Sequence, residues 1–542
     1  MRLRIHFTTI TARLCACLVS GAAFFAGVQW PVSAAEGIRL SPAAGADLFR
    51  DGSIPQLRIE LNPAALESLR QKPREYVVAK LTEGATVYQQ VGVHLKGKIG
   101  SFRPIDEKPS LTLDFCRFEN GRRFHGLRKI HLNNSVEDPS YANEKLGSEL
   151  FRSAGVPAPR VTRALVTLNG RALGLYVLKE GFTEDFLALH YGSIGGELYE
   201  PGDGHDVNEP LDRNSVRAPV DKGRTALKRM ATAALLADPV QRWRELDDTL
   251  DTAEFLAFMS MEIMLGHRDG YCLARNNFRV YHDVEKDKMV FFPQGMDQLF
   301  GTADLPWQPR VAGLVAQALM GTSQGREHYA GTFGSLLTNV FRVQALTNRV
   351  DELERELRPV LSRGEWAKVW RECGDLKERI AQRGASLVAQ LQRPPMGLLA
   401  FTGGVGRPEG WEISTRPQQG KIGHAELEGR AALHIGTTAE TTASWHARVL
   451  VPAGRYRFQG EVRVAGVKPL PQGVYQGAGL RIGGGYREQA TFTGDSAWQT
   501  VGTGFQVTQP LEEVELICEL RARAGDAWFD VASLCVLRMD DL

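Results

Sequence analysis

The chain lacks an excess of charge of either sign. Its 542 residues contain 65 lysines and arginines against 63 aspartates and glutamates, which gives a formal net charge of +2. A chain with so little net charge has no overall electrostatic attraction to nucleic acids or to anionic membranes. We therefore predict no nucleic-acid partner, and we expect any anion-binding site to depend on locally placed residues.

Cysteines are few and widely spaced. Two of the seven lie within the first 35 residues and none of the rest has C-x-x-C spacing, so a structural zinc site is not expected. Cys518 and Cys535 lie in strand-like segments near the end of the chain, where they form either a disulfide or two buried thiols. The zinc-protease motif H-E-x-x-H is absent, and we expect no secreted hydrolase.

Long apolar segments are absent except at the start of the chain. Residues 1–35 combine an arginine-bearing start, an apolar run from Leu14 to Trp30 and small residues at 33–35, which is the pattern of a secretory signal peptide. The alternative is an uncleaved membrane anchor, although the run is short for a bilayer span of about 20 residues. We predict a secreted, periplasmic or cell-surface protein with no membrane span after signal removal.

The remaining chain contains three segments of different character. Residues 57–118 alternate in short β-like runs, and a helical pattern with Asp138 as N-cap and a hairpin turning at Asn169-Gly170 follow. Helical periodicity then continues to residue 392. After Pro394 and Pro395, short strands with glycine-rich turns indicate a β-sandwich of about 140 residues. These patterns predict an α+β domain at 36–396 and an all-β domain at 397–542.

The segment HRDGYCLARNN begins like the catalytic loop of protein kinases, H-R-D-x-x-x-x-N. Ala274 occupies the asparagine position of that pattern, so the match is incomplete. Asp269 follows a helical segment and precedes two asparagines, an arrangement that suits either a catalytic acid with a metal-binding amide or a helix-ending polar turn. Asp297 directly follows a buried strand, where a magnesium-binding aspartate of the kinase type would lie.

A basic turn, LKGKIGSFR, lies upstream of these residues and follows a strand. Its backbone amides, with Lys96 and Ser101, suit a bound phosphate, although such a turn is more commonly a solvated hairpin. Lys108, at the head of the next strand, either reaches phosphates or flanks an edge strand as a surface residue. Its acidic partner would be Glu144 or Glu149 on the following helix.

Together these segments resemble the CotH kinase family of atypical kinases, named for a spore-coat protein. The resemblance covers residues 48–391 and is carried by VGVHLKGKIGSF, EKPSLTLDF, FHGLRKIHLNNSVEDPSYANEKLGSELFRSAGVPAP, LVTLNGRALGLYVLKE, RDGYCLARNNFRVYHD and FFPQGMDQLFG. It implies an atypical protein-kinase-like domain with two lobes, a β-rich N-lobe and a helical C-lobe. It also implies ATP with Mg²⁺ or Mn²⁺ as cofactors, and protein hydroxyls in the envelope or outside the cell as acceptors.

The same resemblance assigns roles to individual residues. It makes Lys108 the phosphate-contacting lysine and Glu180 the hinge residue beside adenine. It also makes Asp269 the catalytic acid, Asn277 the metal-side asparagine and Asp297 the magnesium ligand. One position departs from the family pattern W-D-x-D, because Gly295 stands where the first aspartate is expected. Either Asp297 alone supplies the metal carboxylate, or the domain is a non-catalytic pseudokinase in a surface, coat or adhesion protein.

The end of the chain, AWFDVASLCVLRM, resembles the last strand of jelly-roll carbohydrate-binding or galactose-binding-like modules. This resemblance implies an all-β jelly-roll-like sandwich that serves as an adhesion or targeting module for surface glycans. Its tryptophans either stack on sugars or belong to the sandwich core; they are Trp411, Trp445, Trp498 and Trp528.

Overall fold

The computed structural model describes residues 43–539, except for residues 99, 203, 210, 214–223, 393–397, 471–475 and 484–491. The predicted signal peptide at 1–35 and the predicted domain boundary at 396 lie outside the described residues. The chain divides into two units, Met1–Ala43 and Ala44–Leu542. Within the described residues, no helix is both long and apolar enough to cross a membrane.

Seven strands close into a barrel in the first part of the described chain. The order around the barrel is β1-β2-β3-β4-β5-β7-β6, and a parallel pairing of β1 with β6 closes it. Alternation along each strand turns apolar residues inward, among them Ile59, Leu81 and Val93. The strands are β1 (Gln56–Glu60), β2 (Val77–Glu83), β3 (Thr86–Lys96), β4 (Ser110–Asp114), β5 (Lys129–Asn133), β6 (Val161–Leu168) and β7 (Arg171–Glu180).

The turn between β6 and β7 confirms the predicted hairpin. Asn169 and Gly170 both have positive φ, at 47° and 79°, which two-residue turns of this type require. The side chain of Asn169 also bonds both backbone groups of Leu61, at 2.7 and 2.8 Å, and thereby ties the turn to the end of β1. The hairpin fixes the register of β7, whose last residues enter the site described below.

Two helices accompany the barrel, α1 (Pro63–Gln71) and α2 (Asn143–Ser153). The predicted N-cap of α2 is wrong, because the helix begins at Asn143, four residues later than expected, and Ala142 is its N-cap. The Asp138 carboxylate still accepts a hydrogen bond of 2.9 Å from the amide of Asn143, so it contacts the helix start from outside the cap position. Tyr141, with φ at 55°, lies in the left-handed region and delays the first turn.

The next part is helical and contains one small sheet. Strands β8 (Leu198–Pro201), β9 (Leu211–Arg213), β10 (Phe278–Asp283) and β11 (Lys288–Pro293) form this sheet in the order β11-β10-β8-β9. Helix α6 is buried along nearly its whole length and lies in the largest apolar cluster. The helices are α3 (Glu184–His190), α4 (Thr225–Ala234), α5 (Pro239–Thr249), α6 (Thr252–Leu265), α7 (Tyr271–Ala274), α8 (Leu314–Met320), α9 (Ser323–Asn339), α10 (Val343–Leu357) and α11 (Arg363–Gln392).

The last part of the described chain is all β, as predicted. Its two longest strands, β17 and β19, pair with each other along their lengths with a register shift at Pro452/Gly454. Residues on both sides of this shift, such as Trp445 and Phe458, share one apolar cluster, so the two halves of the sheet face each other. The strands are β12 (Phe401–Thr402), β13 (Val405–Gly406), β14 (Glu412–Thr415), β15 (Gly420–Leu427), β16 (Arg430–Thr437), β17 (Thr441–Lys468), β18 (Gly477–Ile482), β19 (Gly494–Ala522), β20 (Ala524–Asp530) and β21 (Cys535–Arg538).

The two cysteines considered for a disulfide are free thiols in the structure. Cys518 on β19 pairs opposite Trp445, whereas Cys535 on β21 pairs opposite Gln459, which lies beyond the register shift of β17. This placement favours the alternative of two buried thiols.

Candidate active site

A buried ion pair joins the barrel to helix α2. Lys179, the next-to-last residue of β7, lies with its Nζ 2.6 Å from Oε1 of Glu144, and both side chains are at most 3 % exposed. Burial alone would raise the pKa of Glu144, but the ammonium groups of Lys179 and Lys96 offset it and hold the pKa below its usual value. Burying two charges is costly, so a pair of this kind requires good geometry and further partners.

A second lysine lies in the same place. The Nζ of Lys96, the last residue of β3, donates to Oδ1 of Asn133 at 2.7 Å. Burial, with the neighbouring charge of Lys179, lowers the pKa of Lys96 to about 7. His131 on β5 is affected by the same cations, and burial together with their charges lowers its pKa well below the usual value. The barrel end is therefore an enclosed region in which positive charges repel one another.

Arg279 on β10 approaches this region from the helical part. Its Nη2 donates to Oε1 of Glu200 at 2.7 Å, and its guanidinium lies 4.8 Å from the centre of the Phe182 ring. The Nε and Nη1 atoms are buried and have no hydrogen-bond partner among the described residues. Burial and then the positive charges of Lys96, Lys179, Lys129 and Arg279 lower the pKa of His131. An anionic group bound there would relieve both the repulsion and the unsatisfied donors.

The segment after β11 delivers a carboxylate to this site. The amide of Met296 donates to Oε2 of Glu144 at 3.0 Å, and Nδ2 of Asn143 donates to the carbonyl of Asp297 at 2.8 Å. Burial, together with the negative charges of Glu144 and Glu137, raises the pKa of Asp297 to about 7. The first turn of α2 thus contacts two other elements. Asn143 and Glu144 bind the Asp297 segment, and Glu144 also binds Lys179.

Asp269 lies in the polar turn between α6 and α7. Its two carboxylate oxygens accept hydrogen bonds from Nδ2 of Asn276 at 2.9 Å and from Nδ2 of Asn277 at 2.5 Å. Asn277 in turn accepts the amide of Gln294 on its carbonyl oxygen, at 2.9 Å. These contacts bring Asp269 and Asn277 together and connect them, through Gln294, with the segment that carries Asp297.

Gly295 is required by this arrangement. Its φ is 62°, and a Cβ atom at this position would lie 2.5 Å from Oδ1 of Asn277. A side chain at residue 295 therefore needs Asn277 to move, which explains locally why glycine replaces the first aspartate of the W-D-x-D pattern.

A known protein family matches the part of the chain that contains this site. The family described as CotH kinase protein matches residues 93–387, more than half of the chain. The chain belongs to the CotH family. The matched range begins on β3, ends in α11 and includes the residues that form the site.

One relative is the protein named invasin CotH2 of Rhizopus delemar, which is 24 % identical over 361 residues, 59 % of this chain and 59 % of that protein. The chain thus spans about three fifths of the length of this curated relative. Among solved structures, the proinflammatory kinase CtkA of Helicobacter pylori has a TM-score of 0.26 at 8 % identity, covering 54 % of this chain and 96 % of CtkA. TmCBM61 in complex with β-1,4-galactotriose has a TM-score of 0.17 at 17 % identity, covering 24 % and 90 %.

Lys108 lies in a different environment of the CotH domain. Its Nζ donates to the hydroxyl of Tyr141 at 2.9 Å and lies about 5 Å from the ring centres of Tyr141 and Tyr176. Neither expected acidic partner pairs with it, because Glu144 binds Lys179 and Glu149 binds Arg349 at 2.7 Å. The predicted pairing is therefore corrected. Sequence reasoning missed Lys179, although its strand end YVLKE was already part of the resemblance.

Two other predicted residues have mainly structural contacts. The Glu180 carboxylate is fully buried and binds the side chain and amide of Arg160, at distances between 2.5 and 3.1 Å. The carbonyl of Ser101 accepts from Nδ2 of Asn134 at 3.0 Å, and its hydroxyl accepts the amide of Lys98 at 3.2 Å. Ser101 thus closes the basic turn, and the nucleotide contacts of both residues stay predictions.

The residues at the site fit a hard cation that keeps nucleotide and water ligands. The described residues contain no group of three or more His, Cys, Asp and Glu side chains that would hold a metal alone. Magnesium commonly takes one or two carboxylates and completes its shell with phosphate oxygens and water. Asp297, with a pKa raised by burial and then by neighbouring carboxylates, is an acid that a cation would stabilise in its charged form.

One motif of a different enzyme class was missed in the sequence. Residues 321–325 are GTSQG and match the G-x-S-x-G pattern of a nucleophile elbow. That elbow needs a strand before the serine and a helix after it. Ser323 instead follows helix α8, begins α9, and donates its hydroxyl to Gln324 at 3.0 Å. The motif is therefore a helix start, with the Thr322 hydroxyl as its cap at 2.9 Å from the Gly325 amide.

Proposed function

We propose that the CotH domain is a nucleotide-dependent phosphotransferase that moves the γ-phosphoryl group of ATP to a protein hydroxyl. The observation that supports it most strongly is the buried Lys179–Glu144 pair between a strand and a helix. A lysine–glutamate pair of this kind is what protein kinases use to hold ATP phosphates. We assign the phosphate-contacting role to Lys179, in place of Lys108, because Lys179 shares its surroundings with Lys96 and Asp297.

Each residue of the candidate site has a separate role in this proposed transfer. Lys179 and Lys96 neutralise the phosphates, and Asp297 with Asn277 would hold Mg²⁺ or Mn²⁺, which would supply further charge neutralisation. Asp269 orients the acceptor hydroxyl and accepts its proton on a carboxylate oxygen. As the bond from the acceptor oxygen to the γ-phosphorus forms, the bond from that phosphorus to the β,γ-bridging oxygen breaks, and ADP leaves.

The acceptor and the location belong to the same proposal. A signal peptide at 1–35 would export the chain, and a relative is named an invasin. We therefore propose acceptors in the envelope or outside the cell, for a secreted, periplasmic or cell-surface protein. The all-β part at 397–542 would act as a targeting module for surface glycans.

A second candidate function is a non-catalytic surface or coat protein in which the CotH domain is a scaffold. Gly295 favours it, because the site has one carboxylate in the 294–298 segment and no room for another beside Asn277. A scaffold of this kind would keep the buried ion pair for stability and show no phosphoryl transfer.

The test is to incubate the chain from residue 36 onward with γ-labelled ATP and Mg²⁺ or Mn²⁺, with candidate acceptors and with itself. We expect labelling that is lost in Asp297→Ala and Asp269→Asn and kept in Lys108→Met. Asp269 is exposed, so Asp269→Asn is expected to fold even if changes to buried residues do not. No labelling of the unchanged protein, with or without nucleotide binding, would support the scaffold. No labelling together with no nucleotide binding would reject the phosphotransferase.

A further inference from the structure

The four tryptophans of the C-terminal part lie in two different environments. Trp445 is 2 % exposed in the apolar cluster, and Trp411 packs against that cluster with its ring stacked on Phe458. Trp498 and Trp528 are half-buried, and neither belongs to the cluster. Core packing therefore accounts for two of the tryptophans and leaves the other two unexplained.

Trp528 lies on the solvent side of the sheet. It alternates along β20 with the buried residues Ala527 and Phe529, so its side chain points to the opposite face. Its cross-strand neighbours are His434 on β16 and Arg463 on β17. The His434 and Trp528 rings stack with centres 5.0 Å apart. We call this surface of β15, β16, β20 and β17 the outer face.

Trp498 joins the outer face through polar contacts. Its indole N–H donates to Oε2 of Glu428 at 3.0 Å, and the Arg430 guanidinium lies 5.1 Å from its ring centre. Glu428 also binds Arg463, the cross-strand neighbour of Trp528. Both tryptophans thus belong to one network of aromatic rings and paired charges.

Small residues leave room beside the rings. Gly423 on β15 pairs opposite His434, and a Cβ atom added there would have no atom within 4 Å. Gly436 on β16 lets the Asp526 carboxylate approach, since an added Cβ would lie 2.3 Å from its Oδ1. That carboxylate bonds Nε2 of His434 at 2.7 Å. The outer face therefore has an open shelf next to the His434–Trp528 stack, bordered by hydrogen-bonding groups.

The charge on the outer face indicates the kind of ligand. Arg430 and Arg463 are each matched by carboxylates, Glu461 and Glu428 respectively, and Asp530 lies 3.1 Å from Arg430. Arginines that are already paired offer no excess charge to phosphates, nucleic acids or acidic polymers. Half-buried indoles beside paired carboxylate and guanidinium groups offer apolar ring surface together with donors and acceptors. Pyranose rings with free hydroxyls have both complementary features.

We propose that the outer face, centred on Trp528 and Trp498, binds a neutral polysaccharide chain of pyranose units. The proposal rests on the proposed targeting role of the C-terminal part and is independent of phosphoryl transfer. The polymer would lie across the shelf above Gly423, with its rings against the indoles and its hydroxyls on the flanking charged pairs.

The test is affinity electrophoresis of the chain from residue 36 onward in gels containing soluble polysaccharides. The neutral probes are β-1,4-galactan, xylan, galactomannan and mixed-linkage β-glucan, and polygalacturonate is the acidic probe. We expect retardation by at least one neutral polymer and at least about tenfold weaker binding in Trp528→Ala and in Trp498→Ala. Trp370→Ala is the matched control, because Trp370 is 55 % exposed on helix α11, outside the C-terminal part.

Three outcomes would overturn the proposal: no retardation by any neutral polymer, retardation by polygalacturonate alone, or unchanged binding in the Trp528→Ala, Trp498→Ala double variant. Trp528→Phe keeps an aromatic ring and should bind more tightly than Trp528→Ala, which separates loss of the ring from misfolding. Asp297→Ala should bind the polymer like the unchanged protein. Failure of this test and failure of the phosphotransferase test are therefore distinguishable.

Discussion

The two parts of the described chain differ in how many charged side chains they bury. The part up to Gln392 buries many ionised side chains, including Glu144, Lys179, Arg163 and Glu180, whereas among the described residues after it only Glu519 and Asp530 are buried acids, with no buried lysine or arginine. The C-terminal sheet keeps most of its ion pairs on its surface. Burying a charge costs several kcal/mol, so it persists where partners are fixed and a role requires it.

This contrast indicates a different kind of candidate site in each part. In the CotH domain, the buried charges converge at the end of β7 and the start of α2, and they create a site that an anion would complete. In the C-terminal part, the apolar interior supports a flat polar and aromatic surface. The first arrangement suits chemistry in an enclosed site, and the second suits recognition of a ligand from solution.

Breaking the Lys179–Glu144 pair should give the largest effect. Lys179→Met leaves Glu144 buried without its partner, and we expect a loss of about 3–5 kcal/mol in the free energy of unfolding. Phosphoryl transfer should fall by about 100-fold or more, because a charge that stabilises the transferring group is removed. Chemical denaturation and the labelling assay measure the two effects.

Lys108→Met is the matched control for this prediction. Its lysine contacts Tyr141, burial lowers its pKa to about 8, and it lies outside the pair. We expect labelling within about threefold of the unchanged protein, since no transition-state charge is removed. If Lys108→Met abolished labelling while Lys179→Met did not, the role would return to Lys108.

The C-terminal tryptophans allow the second comparison. Trp445→Ala should cost about 3–5 kcal/mol in the free energy of unfolding, because a buried indole is deleted from the core. Trp528→Ala removes a half-buried indole from the outer face and should cost about 1 kcal/mol or less. Urea unfolding of both variants measures the difference. Equal costs would mean that Trp528 is a core residue and would remove the basis of the polysaccharide site.

The sequence predicted the elements of this fold better than the partners within the site. Asn169-Gly170 specified its hairpin because that signal is local, whereas Asp138 located the start of α2 only to within four residues, since Ala142 is the N-cap. The partner of Glu144 depends on which strand end closes next to α2, and that follows from the closed barrel order. No local pattern contains this information. The sequence therefore led to Lys108, at the head of a strand, as the phosphate-contacting lysine, and Lys179, at the end of another strand, was missed.

Gly295 gives a third, smaller effect. Gly295→Asp restores the carboxylate of the W-D-x-D pattern, but residue 295 has φ at 62° and its Cβ would contact Asn277. We expect a cost of about 1–3 kcal/mol in the free energy of unfolding and no gain in labelling. Gly301→Ala is the control, because Gly301 has open space around it and no positive φ. A stable Gly295→Asp variant with increased labelling would show that the native site is a weakened kinase.

The smallest predicted effect concerns His125, which lies between the carboxylates of Asp47, at 2.5 Å, and Glu83, at 2.8 Å. Burial opposes its charge, but hydrogen bonds to Asp47 and Glu83 raise the pKa of His125 above 6.5. Its stabilising contribution is therefore complete below about pH 6.5 and is lost as the pH rises through the folded-state pKa.

Because Asp47 is largely exposed, we expect His125→Asn to cost only about 0.5–1 kcal/mol near pH 5.5, and less near pH 9. Asp106→Asn, which breaks an exposed pair with Arg70 that contains no histidine, should cost the same at both pH values. An equal cost of His125→Asn at both pH values would show that packing, and not charge, accounts for the contribution of His125.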